Sequence, residues 1–198
     1  MMHQILPSDC LAVVGQRGSG KTYLLSHLAE HLRYGLFLDT KGTEGVPGWP
    51  VTSDLLEALR LPRAVYRVPA EEDPEKAADR LAWGAFRRGH TTLIVDEAAH
   101  VSGANRIPRG LRVAITQGRA KGVGVWAGSQ RPVDVSNFFF SESEHFFVGL
   151  LTLESDRLKV AGFVPGLQTA RDSLTWTPFS FWYYNPKMRK PIRFRLEG

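Results

Sequence analysis

The chain has 198 residues, a hydrophobic fraction of 43%, a charged fraction of 23% and a formal net charge of +5. This length allows one well-packed domain and is short for two. The single cysteine, Cys10, excludes an internal disulfide, no apolar run approaches the roughly 20 residues that span a bilayer, and the N-terminus lacks a signal-peptide pattern. We therefore expect one domain over residues 1–198, with a core at about 9–165 and a basic, aromatic extension at about 166–198.

The first two predicted elements enclose a phosphate-binding motif. Residues 11–14 are a short apolar run typical of a buried strand, and the apolar spacing over residues 21–33 predicts a helix. Between them, residues 15–22 read Gly-Gln-Arg-Gly-Ser-Gly-Lys-Thr and match the P-loop pattern at every required position. Backbone N–H groups and the positive end of the helix dipole would face a phosphate there. We predict that a nucleoside triphosphate is bound by Gly15, Gln16, Arg17, Gly18, Ser19, Gly20, Lys21, Thr22 and Tyr23, with Lys21 reaching the β- and γ-phosphates and Thr22 holding Mg²⁺.

The following segments alternate between strands and helices. Strands are predicted over residues 35–38, 64–68, 92–95, 122–127 and 145–150, and helices over residues 53–60, 74–88 and 110–121. Ser53 and Asp73 are the expected N-cap residues, and Pro74 fits the first position of its helix. Continuous apolar strands between helices predict an α/β fold with a mostly parallel central sheet and helices on both faces.

Two acidic residues end the strand at residues 92–95. Asp96 is predicted to hold Mg²⁺, as P-loop enzymes require, and Glu97 to polarise the attacking water as the general base. Two successive acids favour a hydrolysing motor or switch of the additional-strand class. Gln130 follows the next predicted strand, at the edge where the carboxyl ends of parallel strands meet. We expect its side chain to contact the γ-phosphate or the attacking water.

Two basic segments are candidate contacts for a partner. Arg106 and Arg109 lie in a Gly- and Pro-containing loop that suits contact with DNA phosphates, or is a solvated connection. In the tail, residues 179–184 and 191–196 predict two strands that could pair as an antiparallel hairpin at the sheet edge. The basic residues of this tail could bind DNA, a protein partner or an anionic membrane face, or could protect an edge strand; they are Lys187, Arg189, Lys190, Arg193 and Arg195.

Several of these segments resemble the FtsK/HerA superfamily of hexameric DNA-pumping ATPases. Gly118-Arg119 at a predicted helix end, followed by a strand and then Ser-Gln-Arg-Pro at residues 129–132, is similar to the family's Gly-Arg and Thr-Gln-Arg-Pro elements. Residues 39–41, Asp-Thr-Lys, resemble the family's Asp-Pro-Lys element, with Thr40 in place of proline. The likeness covers roughly residues 11–150.

The resemblance implies a RecA-like additional-strand P-loop NTPase that uses ATP and Mg²⁺ and works as a homo-oligomeric, hexameric ring on double-stranded DNA. In the family's Gly-Arg position, Arg119 is the first candidate for an arginine that completes the site of a neighbouring subunit, and Arg112 and Arg131 are the alternatives. A single isolated subunit would then hydrolyse ATP poorly.

Small stand-alone cores of this kind resemble the genome-packaging ATPases of membrane-containing double-stranded DNA viruses. The resemblance therefore implies a packaging motor in the host cytoplasm or at the virion vertex, with capsid-vertex or membrane proteins as partners of the basic tail. Two alternatives stay open. One is a filamentous-phage assembly or conjugation-type ATPase, and the other is a nucleotide-dependent switch or small-molecule kinase.

Overall fold

Nine strands form one sheet in the part of the chain that the structure describes. This structure is a computed structural model, and it describes residues 3–167 and 179–196. The strands are β1 (Leu11–Val14), β2 (Gly35–Asp39), β3 (Val51–Thr52), β4 (Arg63–Arg67), β5 (Thr92–Val95), β6 (Gly124–Ser129), β7 (His145–Val148), β8 (Ser180–Tyr184) and β9 (Ile192–Arg195). The helices are α1 (Lys21–Ala29), α2 (Leu55–Arg60), α3 (Pro74–Arg88), α4 (Arg109–Gln117), α5 (Phe138–Ser141) and α6 (Glu154–Ala161).

The strand order is β3-β4-β2-β5-β6-β1-β7-β8-β9. All pairings from β3 to β7 are parallel, and β7-β8 and β8-β9 are antiparallel. Strand β6 lies between the P-loop strand β1 and the acidic strand β5, which is the arrangement expected of an additional-strand NTPase. The predicted α/β fold class and the antiparallel C-terminal edge hairpin are both confirmed.

The core lies on both faces of this sheet. In β1, Leu11 and Val13 pack into a cluster that includes the buried face of α1, whereas Ala12 and Val14 pack into a second cluster with α3. Every residue of β1 is buried, and so is every residue of β5, β6 and β7. A parallel strand covered by helices on both sides favours apolar residues on both of its faces, which explains the continuous apolar runs.

One of the two predicted helix caps is wrong. The cap of α2 is Asp54 and not Ser53, because the Asp54 carboxylate accepts hydrogen bonds from the backbone N–H groups of Leu56 and Glu57. Asp73 caps α3 as predicted, accepting from Glu75 and Lys76, with Pro74 in the first turn.

Several helices and strands begin or end at residues other than those predicted. Helix α1 ends at Ala29 and not at residue 33, although a turn from Ala29 keeps Leu32 in the core. Helix α4 ends at Gln117 and continues as a 3₁₀ turn, Gly118–Lys121, which stops at Gly122 with a φ of 70°. Strand β6 therefore begins at Gly124, two residues later than predicted. Strand β3 and helices α5 and α6 are short elements that the sequence pattern does not predict.

The tail returns along the sheet as β8 and β9. In β9, Ile192 and Phe194 pack against the same core cluster as α1, while Arg193 and Arg195 occupy the alternate, exposed positions. Residues 168–178 of the predicted extension lie outside the described residues, and the single-domain boundary of 1–198 stays a prediction. Among the described residues, no helix is both long and apolar enough to cross a membrane.

Candidate functional site

The carboxyl ends of three neighbouring parallel strands converge on one cleft. The P-loop follows β1, the acid pair follows β5, and Gln130 follows β6. The cleft has a volume of about 570 Å³. Its lining residues are Arg17, Gly18, Gly20, Lys21, Thr22, Tyr23, Lys41, Thr43, Glu44, His100, Gln130 and Phe179. The sheet topology thus brings the separate sequence motifs to one place.

The P-loop has the backbone geometry that its glycines allow. Gly18 and Gly20 have φ values of 78° and 94°, in the left-handed region that favours glycine. The Lys21 Nζ donates a hydrogen bond to the carbonyl of Gln16, 3.1 Å away, and so lies across the loop. Burial is the main cause that lowers the pKa of Lys21 to about 8, although the charges of Glu97 and Asp96 oppose it. A bound polyanion would favour the charged form of this lysine.

Thr22 and Asp96 form a pair of oxygen ligands between the P-loop and β5. The Thr22 hydroxyl donates to Asp96 Oδ1 over 2.7 Å, and Asp96 is buried. Among the described residues, no group of three or more His, Cys, Asp or Glu side chains could hold a metal by itself. One hydroxyl and one carboxylate fit Mg²⁺, which in triphosphate sites takes few protein ligands and shares its shell with phosphates and water.

Lys41 is a site residue to which the sequence analysis gave no role. Its Nζ donates to Asp96 Oδ2 over 2.7 Å, so Asp96 bonds Thr22 through one oxygen and Lys41 through the other. Burial works against the charged form of Lys41, but the hydrogen bond and charge of Asp96 outweigh it and raise the pKa of Lys41. Asp39 fixes the backbone of this turn by accepting from the N–H groups of Lys41 and Gly42, and it pairs with Arg67. The Asp-Thr-Lys resemblance was the available signal.

Glu97, the residue after Asp96, contacts the backbone of Gln130. Both carboxylate oxygens of the buried Glu97 accept from the backbone N–H of Gln130, at 3.2 and 3.3 Å. This contact orients the predicted general base, and Gln130 itself lines the cleft. The phosphate contact of the Gln130 side chain stays a prediction. Glu44 is a third acid in the cleft, and burial together with the charge of Asp96 raises its pKa.

The other P-loop residues have distinct surroundings. Arg17 and Tyr23 line the cleft, and their contact with a nucleotide stays a prediction. The backbone N–H of Gln16 donates to the carbonyl of Leu150 and ties the loop to the end of β7. Ser19 is fully buried, and a Cβ at Gly15 would lie 2.6 Å from its hydroxyl oxygen. A side chain at position 15 would therefore displace the loop.

Arg119 lies at the amino ends of the parallel strands, whereas the cleft lies at their carboxyl ends. Its Nη1 contacts Glu144 Oε1 at 3.0 Å, and Glu144 immediately precedes β7 at the amino end of the parallel strands. The side chain is 70% exposed. The two alternatives have partners elsewhere, because Arg131 bonds the buried Asp156 and Arg112 lies over the ring of Phe138. Arg119 thus cannot serve the cleft of its own subunit.

The predicted DNA-contacting arginines lie in a separate groove beside the start of α3. Arg106 and Glu75 form an ion pair of 2.5 Å, while Arg109 is exposed at the start of α4. The groove also contains acidic side chains, including Asp79, whose carboxylate accepts from the N–H of Gly110. The structure therefore does not bring these arginines to the nucleotide cleft, and their contact with DNA stays a prediction.

Comparisons with known proteins agree with this geometry. No family model matches the chain. Over 168 residues it is 29% identical to the DNA packaging ATPase P9 of Enterobacteria phage PRD1, which covers 81% of this chain and 73% of that protein. Its fold is similar to the genome packaging NTPase B204 from Sulfolobus turreted icosahedral virus 2 in complex with sulfate, with a TM-score of 0.80, 16% identity and coverage of 96% of this chain and 98% of that one.

The same NTPase in complex with ATP-gammaS gives a TM-score of 0.77 at 16% identity, covering 95% of this chain and 98% of that one. These structural likenesses support the P-loop NTPase fold, and the curated relative supports the functional class. Together with the converging motifs of the cleft, they confirm that the chain resembles the viral genome-packaging P-loop ATPases of the FtsK/HerA type.

Proposed function

We propose that the chain hydrolyses ATP to pump double-stranded DNA into a preformed viral capsid. The observation that carries the hydrolytic part is the 2.7 Å contact between Thr22 and Asp96, with the buried Glu97 next along the chain. The packaging part is supported by the relative from phage PRD1, whose name describes it as a DNA packaging ATPase.

The motif residues that converge on the cleft are proposed to divide the reaction between them. The P-loop backbone and Lys21 would hold the phosphates, and Thr22 and Asp96 would hold Mg²⁺, whose positive charge would favour the developing negative charge on the phosphoryl oxygens. Glu97 accepts a proton from the attacking water as general base, and its contact with the Gln130 backbone keeps its carboxylate in position. The Gln130 side chain orients the water or the γ-phosphate.

Arg119 is proposed to complete the cleft of a neighbouring subunit, so that full activity would need a second copy of the chain. An arginine at the amino edge of the strands reaches a cleft at their carboxyl edge only in a neighbouring copy, as it would in a hexameric ring. The Arg119 side chain is 70% exposed in its pair with Glu144, so replacing this pair by a phosphate contact costs little. An arginine supplied in this way typically raises turnover by about 10³–10⁵.

The partners follow from charge and from the family likeness. A net charge of +5 favours a polyanion, and Arg106 and Arg109 are the proposed contacts with the DNA backbone. Exposed Arg193 and Arg195 on the outer strand β9 are proposed to contact a capsid-vertex or membrane protein. The motor would act in the host cytoplasm or at the virion vertex.

The test combines turnover with particle size. ATP hydrolysis is measured with and without double-stranded DNA, and the mass of the particle is measured by light scattering with and without nucleotide. We expect a ring in the presence of nucleotide and a higher turnover when that ring and DNA are both present. A chain that stays monomeric under every nucleotide and ignores DNA would instead match a switch or a small-molecule kinase.

A further inference from the structure

The C-terminal hairpin places an aromatic side chain at the mouth of the nucleotide cleft. Strand β8 runs antiparallel to β7, with Val148 opposite Trp182, so its first residues lie at the carboxyl edge of the parallel strands. Phe179, directly before β8, therefore reaches the P-loop although more than 150 residues separate the two segments. A Cβ at Gly20 would lie 2.6 Å from the Phe179 ring, so Gly20 permits this close approach.

A second aromatic ring lies beside Phe179 at the mouth of the cleft. Tyr23, in the first turn of α1, meets Phe179 edge to face with ring centroids 5.4 Å apart. Both rings line the cleft, and Tyr23 and Phe179 are 42% and 36% exposed. Large rings that remain partly exposed beside a polar phosphate loop are a surface for an aromatic ligand group.

The backbone conformation of Phe179 supports a role of this residue in ligand binding. Its φ of 62° lies in the left-handed region, which a bulky residue with a Cβ seldom adopts. Such strain persists where surrounding contacts hold it, and it is concentrated at ligand sites. Glycine adopts this backbone conformation at a lower cost than phenylalanine does. The aromatic side chain at position 179 is therefore present despite a conformational cost.

We propose that Tyr23 and Phe179 form the binding surface for the base of the nucleotide, an inference that rests on the proposed ATPase function. With the triphosphate on the P-loop, Lys21 would contact the phosphates and Thr22 the Mg²⁺ bound to them, and the next residue, Tyr23, would face the base. Aromatic faces bind the π-face of a base and do not read its hydrogen-bonding edge. The pair therefore selects nucleotides over inorganic polyphosphates and discriminates weakly between adenine and guanine.

Phe179→Gly tests this proposal, because it removes the ring and relieves the backbone strain at the same position. Calorimetric titration is performed with a non-hydrolysable ATP analogue, the matching GTP analogue and inorganic tripolyphosphate, each with Mg²⁺. We expect Phe179→Gly to weaken both nucleotides by on the order of tenfold, since stacking on one aromatic side chain contributes that much. Tripolyphosphate binding should stay within about twofold.

Three further variants test whether the loss of affinity depends on the two aromatic rings. Phe179→Tyr keeps the ring and should bind the nucleotides as the natural chain does, while Tyr23→Ala should repeat the selective loss. Tyr34→Ala removes an equally exposed aromatic residue outside the cleft and should change nothing. Thermal melting of each variant checks that it is folded.

The outcomes separate this proposal from the proposed function. Unchanged nucleotide affinity in Phe179→Gly, or an equal loss for nucleotides and tripolyphosphate, would overturn the base site while leaving a working P-loop in the natural chain. If the natural chain binds none of the three probes, the ATPase function is wrong and the base site is overturned with it.

Discussion

Lys41 and Asp96 form an ion pair in the cleft, and replacing Lys41 by methionine would leave a buried carboxylate without its charged partner. Asp96 is 3% exposed and keeps the Thr22 hydroxyl on its other oxygen, whereas Lys41 is 25% exposed. Breaking a buried pair from one side costs about 3–5 kcal/mol. Because water partly reaches Lys41 and Thr22 still bonds Asp96, we expect a loss of about 2 kcal/mol in the free energy of unfolding.

This loss is measurable by thermal denaturation without nucleotide. For a chain of this length, about 2–4 °C per kcal/mol gives a decrease in the melting temperature of about 4–8 °C. Mg²⁺ with ATP should then stabilise Lys41→Met more than the natural chain, because the cation no longer competes with the lysine for Asp96. Lys190→Met, at an exposed position of the tail, is the matched control and should not change the melting temperature.

A double-mutant cycle tests the reasoning directly. If the cost arises from the unpaired charge of Asp96, Lys41→Met should cost much less in an Asp96→Asn background than in the natural chain. Strictly additive losses, or an unchanged melting temperature in Lys41→Met, would refute the assignment of Lys41 as the partner that neutralises Asp96.

Three further predictions concern the rest of the chain. Arg119→Ala should lower the stability by less than about 1 kcal/mol, because Arg119 is 70% exposed in its pair with Glu144. It should leave ATP binding intact while abolishing turnover in the assembled ring, and normal turnover would reassign the arginine. Asp54→Ala should cost about 1 kcal/mol in denaturant unfolding through loss of the α2 cap, and Ser53→Ala almost nothing. Burial lowers the pKa of His145 in the folded chain, so the unfolded chain takes up the proton first, and stability should fall as the pH drops below about 6.5. The difference in melting temperature between His145→Gln and the natural chain isolates this contribution. A difference that stays constant from pH 7.5 to 5 would contradict the prediction.

The local motifs were predictable because each lies within one short segment. The P-loop spans eight residues between a strand and a helix, and Asp96 follows its own strand directly, so no long-range information is needed. Parallel pairing then brings these segments together at one edge of the sheet, and β6 between β1 and β5 agrees with the predicted class.

The remaining site depends on contacts between distant segments. Lys41 meets Asp96 only because β2 and β5 are neighbours in the sheet, and Phe179 meets Gly20 only because the tail reverses direction along β7. Neither contact leaves a periodic pattern in the sequence. The prediction of Ser53 as the cap of α2 is wrong for a related reason, since serine and aspartate are both good caps and only the path of the chain brings the Asp54 carboxylate to the free N–H groups.

The most direct test of the hydrolytic site is single-turnover hydrolysis of ATP by Glu97→Gln, measured alongside ATP binding under conditions in which the natural chain forms its active assembly. Loss of the general base should lower the rate by about 10²–10⁴ while ATP binding is retained. Glu44→Gln, which alters another acid of the same cleft, should lose less than about tenfold. Normal hydrolysis by Glu97→Gln would contradict the assignment of this residue as the base on which the proposed ATPase mechanism depends.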